Sequence, residues 1–239
     1  MRKTVLGLLV VLLALGGFLA HIGYFGGQQV FMVVPAERAA PPAMARTAVI
    51  LFSGDMGFRA GMAPKMAERL AHNGIPVLGV NSMAYYRTRR TPEEATALVA
   101  RAIQRALAMP GIDRVVLLGQ SFGADMLHVG LAGMDPKWRA KIPFVALVVP
   151  GDTVDYRISP IELVGLEKPD AMALPTASRL NWVPAICIWG EEETNSLCPK
   201  LNMPNIALQP LSGNHHLSHN SYRLTRVLEG AMERALQPH

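Results

Sequence analysis

An α/β fold, with helices on both faces of a mostly parallel sheet and no large lid domain, is what this sequence predicts. Three observations predict it. Short apolar runs rich in β-branched residues recur at 47–53, 76–80, 115–118, 144–149 and 183–189, each suited to a strand buried on both faces. Helical apolar spacing alternates with them, at 62–73 and 91–109. The run 115–118 passes without a spacer into Gly119-Gln120-Ser121-Phe122-Gly123, after which the pattern turns helical.

A strand, a sharp turn centred on serine and a helix form the context of a G-x-S-x-G nucleophile elbow, which makes the predicted fold α/β-hydrolase-like. Side chains at 119 and 123 would collide with neighbouring backbone, so glycine is required there for a steric reason. Ser121 is thereby exposed at the carboxyl edge of the sheet. A glycine-rich turn that merely holds a serine is the plain alternative, and the other loops decide between them.

The chain has 239 residues, half of them hydrophobic, enough for one domain of about 190 residues and a leader. A formal charge of +5 favours an anionic surface such as a phospholipid bilayer. Aromatics are only 6% and no long Lys/Arg run occurs, which argues against nucleic acid. Residues 1–34 read as a signal peptide or membrane anchor: Arg2 and Lys3 precede an uncharged apolar stretch from Val5 to Ala20. No downstream site suits cleavage well, so an uncleaved inner-membrane anchor with an exported, periplasmic domain is expected. Residues 35–46, rich in proline, read as an extended linker, and 47–239 as the hydrolase domain.

Within that domain, strand 47–53 ends in Gly54-Asp55-Met56-Gly57, and the backbone amides of Asp55 and Phe122 are the candidate oxyanion hole. Strand 76–80 runs into a loop at 81–90, where Arg87, Arg89 and Arg90 beside two tyrosines would suit a phosphate. Thr91-Pro92-Glu93-Glu94 announces a capped helix. Asp125, one turn past Ser121, is a candidate for substrate binding or a plain helix-dipole partner. Residues 156–180 read as a loop with one short helix.

Strand 183–189 leads to Gly190-Glu191-Glu192-Glu193, and Glu193 stands where the third member of a Ser–His–acid relay belongs, with Glu192, Asp152 and Asp155 as rivals. A last strand at 205–208 precedes Gly213-Asn214-His215-His216-Leu217. His216 is preferred to His215 as the base, from its spacing to Gly213 and the apolar residue after it. The order Ser121, acid, His216 matches the Ser…Asp/Glu…His order of α/β hydrolases. His215, His216 and His219 lack an upstream His/Cys pair, so no metal is expected, nor any other cofactor. In an exported protein Cys187 and Cys198 could pair, closing a short loop that holds Glu193 and contributing about 3 kcal/mol; two buried free thiols are the alternative.

Residues 119–125 (Gly-Gln-Ser-Phe-Gly-Ala-Asp), 90–93 (Arg-Thr-Pro-Glu), 189–199 (Trp-Gly-Glu-Glu-Glu-Thr-Asn-Ser-Leu-Cys-Pro) and 213–216 (Gly-Asn-His-His) together resemble the VirJ/AcvB family of bacterial virulence proteins. The resemblance covers about 46–237, and the run from Gly190 to Cys198 is its most specific part. It implies an exported α/β hydrolase linked to type IV secretion, with AcvB-like members cleaving the aminoacyl ester of lysyl-phosphatidylglycerol. Ser121 and His216 fall at the family's nucleophile and histidine positions, whereas Asn195 stands where an acid is expected. The expectation is therefore a membrane-tethered serine esterase acting on an anionic or aminoacylated phospholipid, possible secretion-system components being further partners. The competing reading is a non-catalytic periplasmic binding protein or chaperone that keeps the fold.

Overall fold

The computed structural model describes residues 2–159 and 168–237. Helix α1 (Arg2–Ile22) and strand β1 (Phe31–Val34) open the chain, followed by β2 (Thr47–Phe52), α2 (Ala63–His72), β3 (Val77–Val80), α3 (Ser82–Tyr86) and α4 (Pro92–Leu107). Then come β4 (Arg114–Gln120), α5 (Phe122–Ala132), β5 (Phe144–Val148), a small ribbon of β6 (Thr153–Val154) and β7 (Ala171–Met172), and α6 (Leu174–Ala177). Strands β8 (Ala185–Gly190) and β9 (Ile206–Leu211) and helix α7 (Ser221–Leu236) complete it.

The main sheet has seven strands in the order β1-β3-β2-β4-β5-β8-β9. All neighbours pair in parallel except β1, which runs antiparallel to β3 at one edge. The central strands are apolar throughout because both faces are covered. Along β2, Ala48, Ile50 and Phe52 point into a core shared with α4 and α5, while Val49 and Leu51 point into a second core shared with α2 and α7. Six consecutive buried positions therefore need no polar alternation. Helix α4 begins as its sequence predicts: Thr91 Oγ1 accepts from the Glu94 N–H at 3.2 Å, and the Glu94 carboxylate accepts from the Thr91 N–H at 2.9 Å.

Three segments add to or depart from the sequence reading. Phe31–Val34, counted with the leader, is an edge strand of the sheet, its four residues paired to Val77–Val80. Its run is too short and too near the apolar leader to be separated from it by pattern alone. Residues 35–46, read as an extended linker, are anchored to the body of the domain: the Glu37 N–H donates to the Ala71 carbonyl at 2.9 Å, Arg38 reaches Asn73, and Met44 is buried. The 81–90 loop contains α3, capped by Asn81 Oδ1, which accepts from the Ala84 N–H at 3.2 Å. The expected short helix in 156–180 is α6, and residues 160–167 of that stretch lie outside the described residues.

Helix α1 leaves Leu6, Leu9, Val11, Leu13 and Phe18 exposed. Among the described residues, no helix is long and apolar enough to cross a membrane.

Candidate active site

Three loops at the carboxyl ends of parallel strands meet at one rim. The first follows β4. Ser121 has φ 54° and ψ −129°, a left-handed region that a non-glycine residue occupies only when its surroundings hold it there. The constraint is visible on both sides: the Ser121 N–H donates to the Val148 carbonyl at 2.8 Å, and its carbonyl accepts from the Ala124 N–H at 2.6 Å. A side chain at Gly123 would place its Cβ 2.3 Å from the Ser53 carbonyl oxygen, so the start of α5 packs directly on backbone. The elbow predicted from the pentapeptide is thus built as expected, with the hydroxyl projecting from the sheet edge.

The second loop follows β8. Glu193 is nearly buried, its side chain 5% exposed. One carboxylate oxygen accepts from the Gly190 N–H at 2.8 Å, and the other lies 2.7 Å from His215 Nδ1. Both oxygens are therefore committed, which fixes the carboxylate plane. The loop is braced from outside: the Leu197 N–H donates to the Pro150 carbonyl at 3.1 Å, the Asp152 N–H donates to the Asn195 carbonyl at 2.9 Å, and Lys200 pairs with Asp152. The Cys187–Cys198 disulfide ties its far end to the middle of β8, as expected in the sequence.

The third loop follows β9 and brings in the histidine. Here the structure corrects the sequence reading: the imidazole facing the serine belongs to His215, whose Nε2 lies 2.8 Å from Ser121 Oγ. His216 is exposed, stacks on His219 with centroids 5.2 Å apart, and touches His215 only edge-on. The reason is the turn. The Leu217 N–H donates to the Asn214 carbonyl at 2.8 Å, so residues 214–217 curl instead of alternating like a strand. Counting from Gly213 and Leu217 by alternation selects the wrong member of the pair. Gly190 lets the loops close up: a Cβ there would sit 2.3 Å from the Asn214 carbonyl oxygen.

Asp55 and Phe122, the candidate oxyanion pair, flank the hydroxyl. Phe122 is the first residue of α5, and Asp55 lines both cavities that Ser121 lines. The turn carrying Asp55 is tied to the elbow because the Gly54 N–H donates to Gln120 Oε1 at 3.2 Å. It is tied to the next strand loop by Ser82 Oγ donating to the Ser53 carbonyl at 2.6 Å.

The arginines go elsewhere. Arg89 pairs with Asp170, and Arg90 pairs with Glu94 at 2.9 Å while lying over the Tyr85 ring. Arg87 stands against Gly26. None of the three lines either cavity at Ser121.

Two cavities flank the nucleophile. One of about 410 Å³ is lined by the 54–61 turn, Lys65, Ser121, His215, His216 and His219. The other, about 150 Å³, is lined by Asp55, Ser121, Phe122, Asp125, Asp155 and Arg157. Asp125 forms its floor, accepting from the Gly151 N–H at 2.9 Å. Burial, reinforced by the nearby carboxylates of Asp155, Asp152 and Glu193, pushes its carboxyl well above the usual range. Sequence reasoning missed Arg59, Lys65 and Arg157; Arg59 sits between Gly57 and Gly61 in the turn after β2, where a cation near an elbow is its only signal. Among the described residues, no group of three or more His, Cys, Asp or Glu side chains is arranged to hold a metal.

A parallel sheet with an elbow serine, an acid after β8 and a histidine after β9 defines an α/β-hydrolase fold, and comparison with solved structures agrees. Est1E from Butyrivibrio proteoclasticus superposes with TM-score 0.62 at 11% identity, over 86% of this chain and 93% of that one. A proline iminopeptidase from Mycobacterium smegmatis gives 0.58 at 14% identity, over 86% and 94%. MenH from S. aureus gives 0.59 at 12%, over 88% and 100%. More particularly, residues 46–236 match the family model for the bacterial virulence protein VirJ, and the chain belongs to that family. No curated protein sequence matches the chain.

Proposed function

We propose that the chain is a serine esterase that cleaves the aminoacyl ester of a lysyl-phosphatidylglycerol-type lipid. The observation that carries this reading is the relay from Ser121 Oγ to His215 Nε2 at 2.8 Å and from His215 Nδ1 to Glu193 at 2.7 Å. In this mechanism His215 takes the Ser121 proton as Oγ attacks the ester carbonyl, and Glu193 stabilises the resulting imidazolium. The backbone N–H groups of Asp55 and Phe122 receive the oxyanion. Collapse expels the alcohol, which takes the proton from His215, and water then releases the acyl group from Ser121 by the same steps in reverse. The smaller cavity, lined by Asp125 and Asp155, would take an aminoacyl ammonium, whose charge would favour the ionised form of the buried Asp125.

Membership of a bacterial virulence family supports a secretion-linked role, and the disulfide supports an oxidising compartment such as the periplasm. The exposed apolar side chains of α1 support attachment to the inner membrane. A fluorophosphonate probe should label the wild type and not Ser121→Ala, and cells lacking the protein should accumulate the aminoacylated lipid. An unlabelled, folded wild type would refute catalysis. Full complementation by Ser121→Ala would point instead to a binding protein that retains the fold.

A further inference from the structure

The two cavities at Ser121 are not equivalent, and the position of His215 tells them apart. In ester cleavage the imidazole must hand its proton to the leaving oxygen, so the alcohol portion of the substrate lies on the imidazole's side. His215 lines the larger cavity and not the smaller one. The leaving alcohol therefore belongs in the larger cavity, and the acyl group in the smaller.

The larger cavity carries the side chains of Arg59 and Lys65, with the imidazoles of His216 and His219 beyond them and one carboxylate, Asp55. Arg59, Lys65, His216 and His219 are all exposed, so their charged heads or rings meet solvent at the mouth instead of being used up in packing. Arg59 Nη1 donates to the His21 carbonyl at 3.1 Å, which spends one guanidinium nitrogen and holds the group at the rim. The opposite cavity carries three aspartates against one arginine. Asp55 is common to both, so the larger cavity is the more basic side of the nucleophile.

We propose that Arg59 and Lys65, aided by His216 and His219, form a leaving-group subsite selective for a phosphate-bearing alcohol. This assignment rests on the esterase reading and moves the phosphate from the Arg87–Arg90 segment to the turn after β2 and the first turns of α2. A phosphate there would meet one guanidinium and one ammonium, both exposed, so its recognition should weaken as salt rises. A phospholipid headgroup and a soluble glycerophosphate share this chemistry.

The test uses the full chain in neutral detergent hydrolysing 4-nitrophenyl acetate, with glycerol and sn-glycerol 3-phosphate as inhibitors. The phosphate should inhibit at least about tenfold better than glycerol, with a preference that weakens as salt rises. Lys65→Gln and Arg59→Gln should each cut that preference by about two- to fivefold, the range for an exposed charge contact. Lys137→Gln, at an exposed site paired with Asp135, is the matched control and should not. Inhibition by phosphatidylglycerol mixed micelles but not by phosphatidylcholine micelles would support the subsite and identify the lipid headgroup as its occupant. Equal inhibition by glycerol and its phosphate, or a preference untouched in both variants, would overturn it. Hydrolysis that survives Ser121→Ala would overturn the esterase reading and the leaving-group label with it. A Ser121-dependent enzyme without phosphate preference would overturn the subsite alone.

Discussion

Replacing Glu193 by glutamine tests the relay with little change of shape. The side chain is 5% exposed, and glutamine's amide oxygen would still accept from the Gly190 N–H that holds the carboxylate at 2.8 Å. What disappears is the negative charge beside the imidazole. For unit charges about 4 Å apart at an effective dielectric near 20, that attraction is about 4 kcal/mol in the imidazolium-bearing transition state. At 1.36 kcal/mol per decade, kcat should fall by roughly 10³. KM should barely move, because Glu193 lines neither cavity at Ser121. Stopped-flow or steady-state release of 4-nitrophenolate, with active sites titrated by fluorophosphonate, would give both parameters. A variant within tenfold of wild-type kcat would mean that Glu193 only packs the loop, and the relay would lose its third member.

His215→Ala should lower kcat by at least about a thousandfold, whereas His216→Ala should act through KM for phosphate-bearing substrates, and the reverse pattern would restore His216 as the base. Cys187→Ser with Cys198→Ser should cost about 3 kcal/mol in urea unfolding, the entropy of the loop they close, and should lower kcat further because that loop carries Glu193. His128 is fully buried on α5, with Nδ1 2.9 Å from Thr176 Oγ1, and burial holds its pKa at about 3, below the ordinary 6.5. The unfolded chain therefore takes up a proton first: the stability from neutral His128 is complete above pH 6.5 and is lost as pH falls towards 3. Urea midpoints of His128→Leu across that window should fall less steeply than those of the wild type.

The elements legible in the sequence are those whose signals are local. The apolar runs of β2, β4, β5 and β8 cannot sit anywhere but in a covered sheet, the Gly-x-Ser-x-Gly turn carries its own steric explanation, and the Thr91-Pro92-Glu93-Glu94 cap closes within four residues. Glu193 was also legible, because its distance from Gly190 is fixed by a single tight loop. What escaped depends on partners distant in the chain. β1 is a strand only because β3 offers an unpaired edge. Choosing His215 over His216 requires the curl of 214–217, which no apolar period reports. Arg89 and Arg90 look like anion ligands until Asp170 and Glu94 are placed beside them. Arg59 and Lys65 looked unremarkable until the cavity was formed around them.

The edge strand also sets a leash. Only residues 23–30 separate the end of α1 from the start of β1, and a chain of that length spans at most about 30 Å when fully stretched. Gln28 shortens it further by accepting from Asn81 at 2.7 Å, and Arg59 grips its root at the His21 carbonyl. Wherever α1 is held, the body with Ser121 can stray from that place by no more than about 30 Å, so the orientation of the one constrains the position of the other.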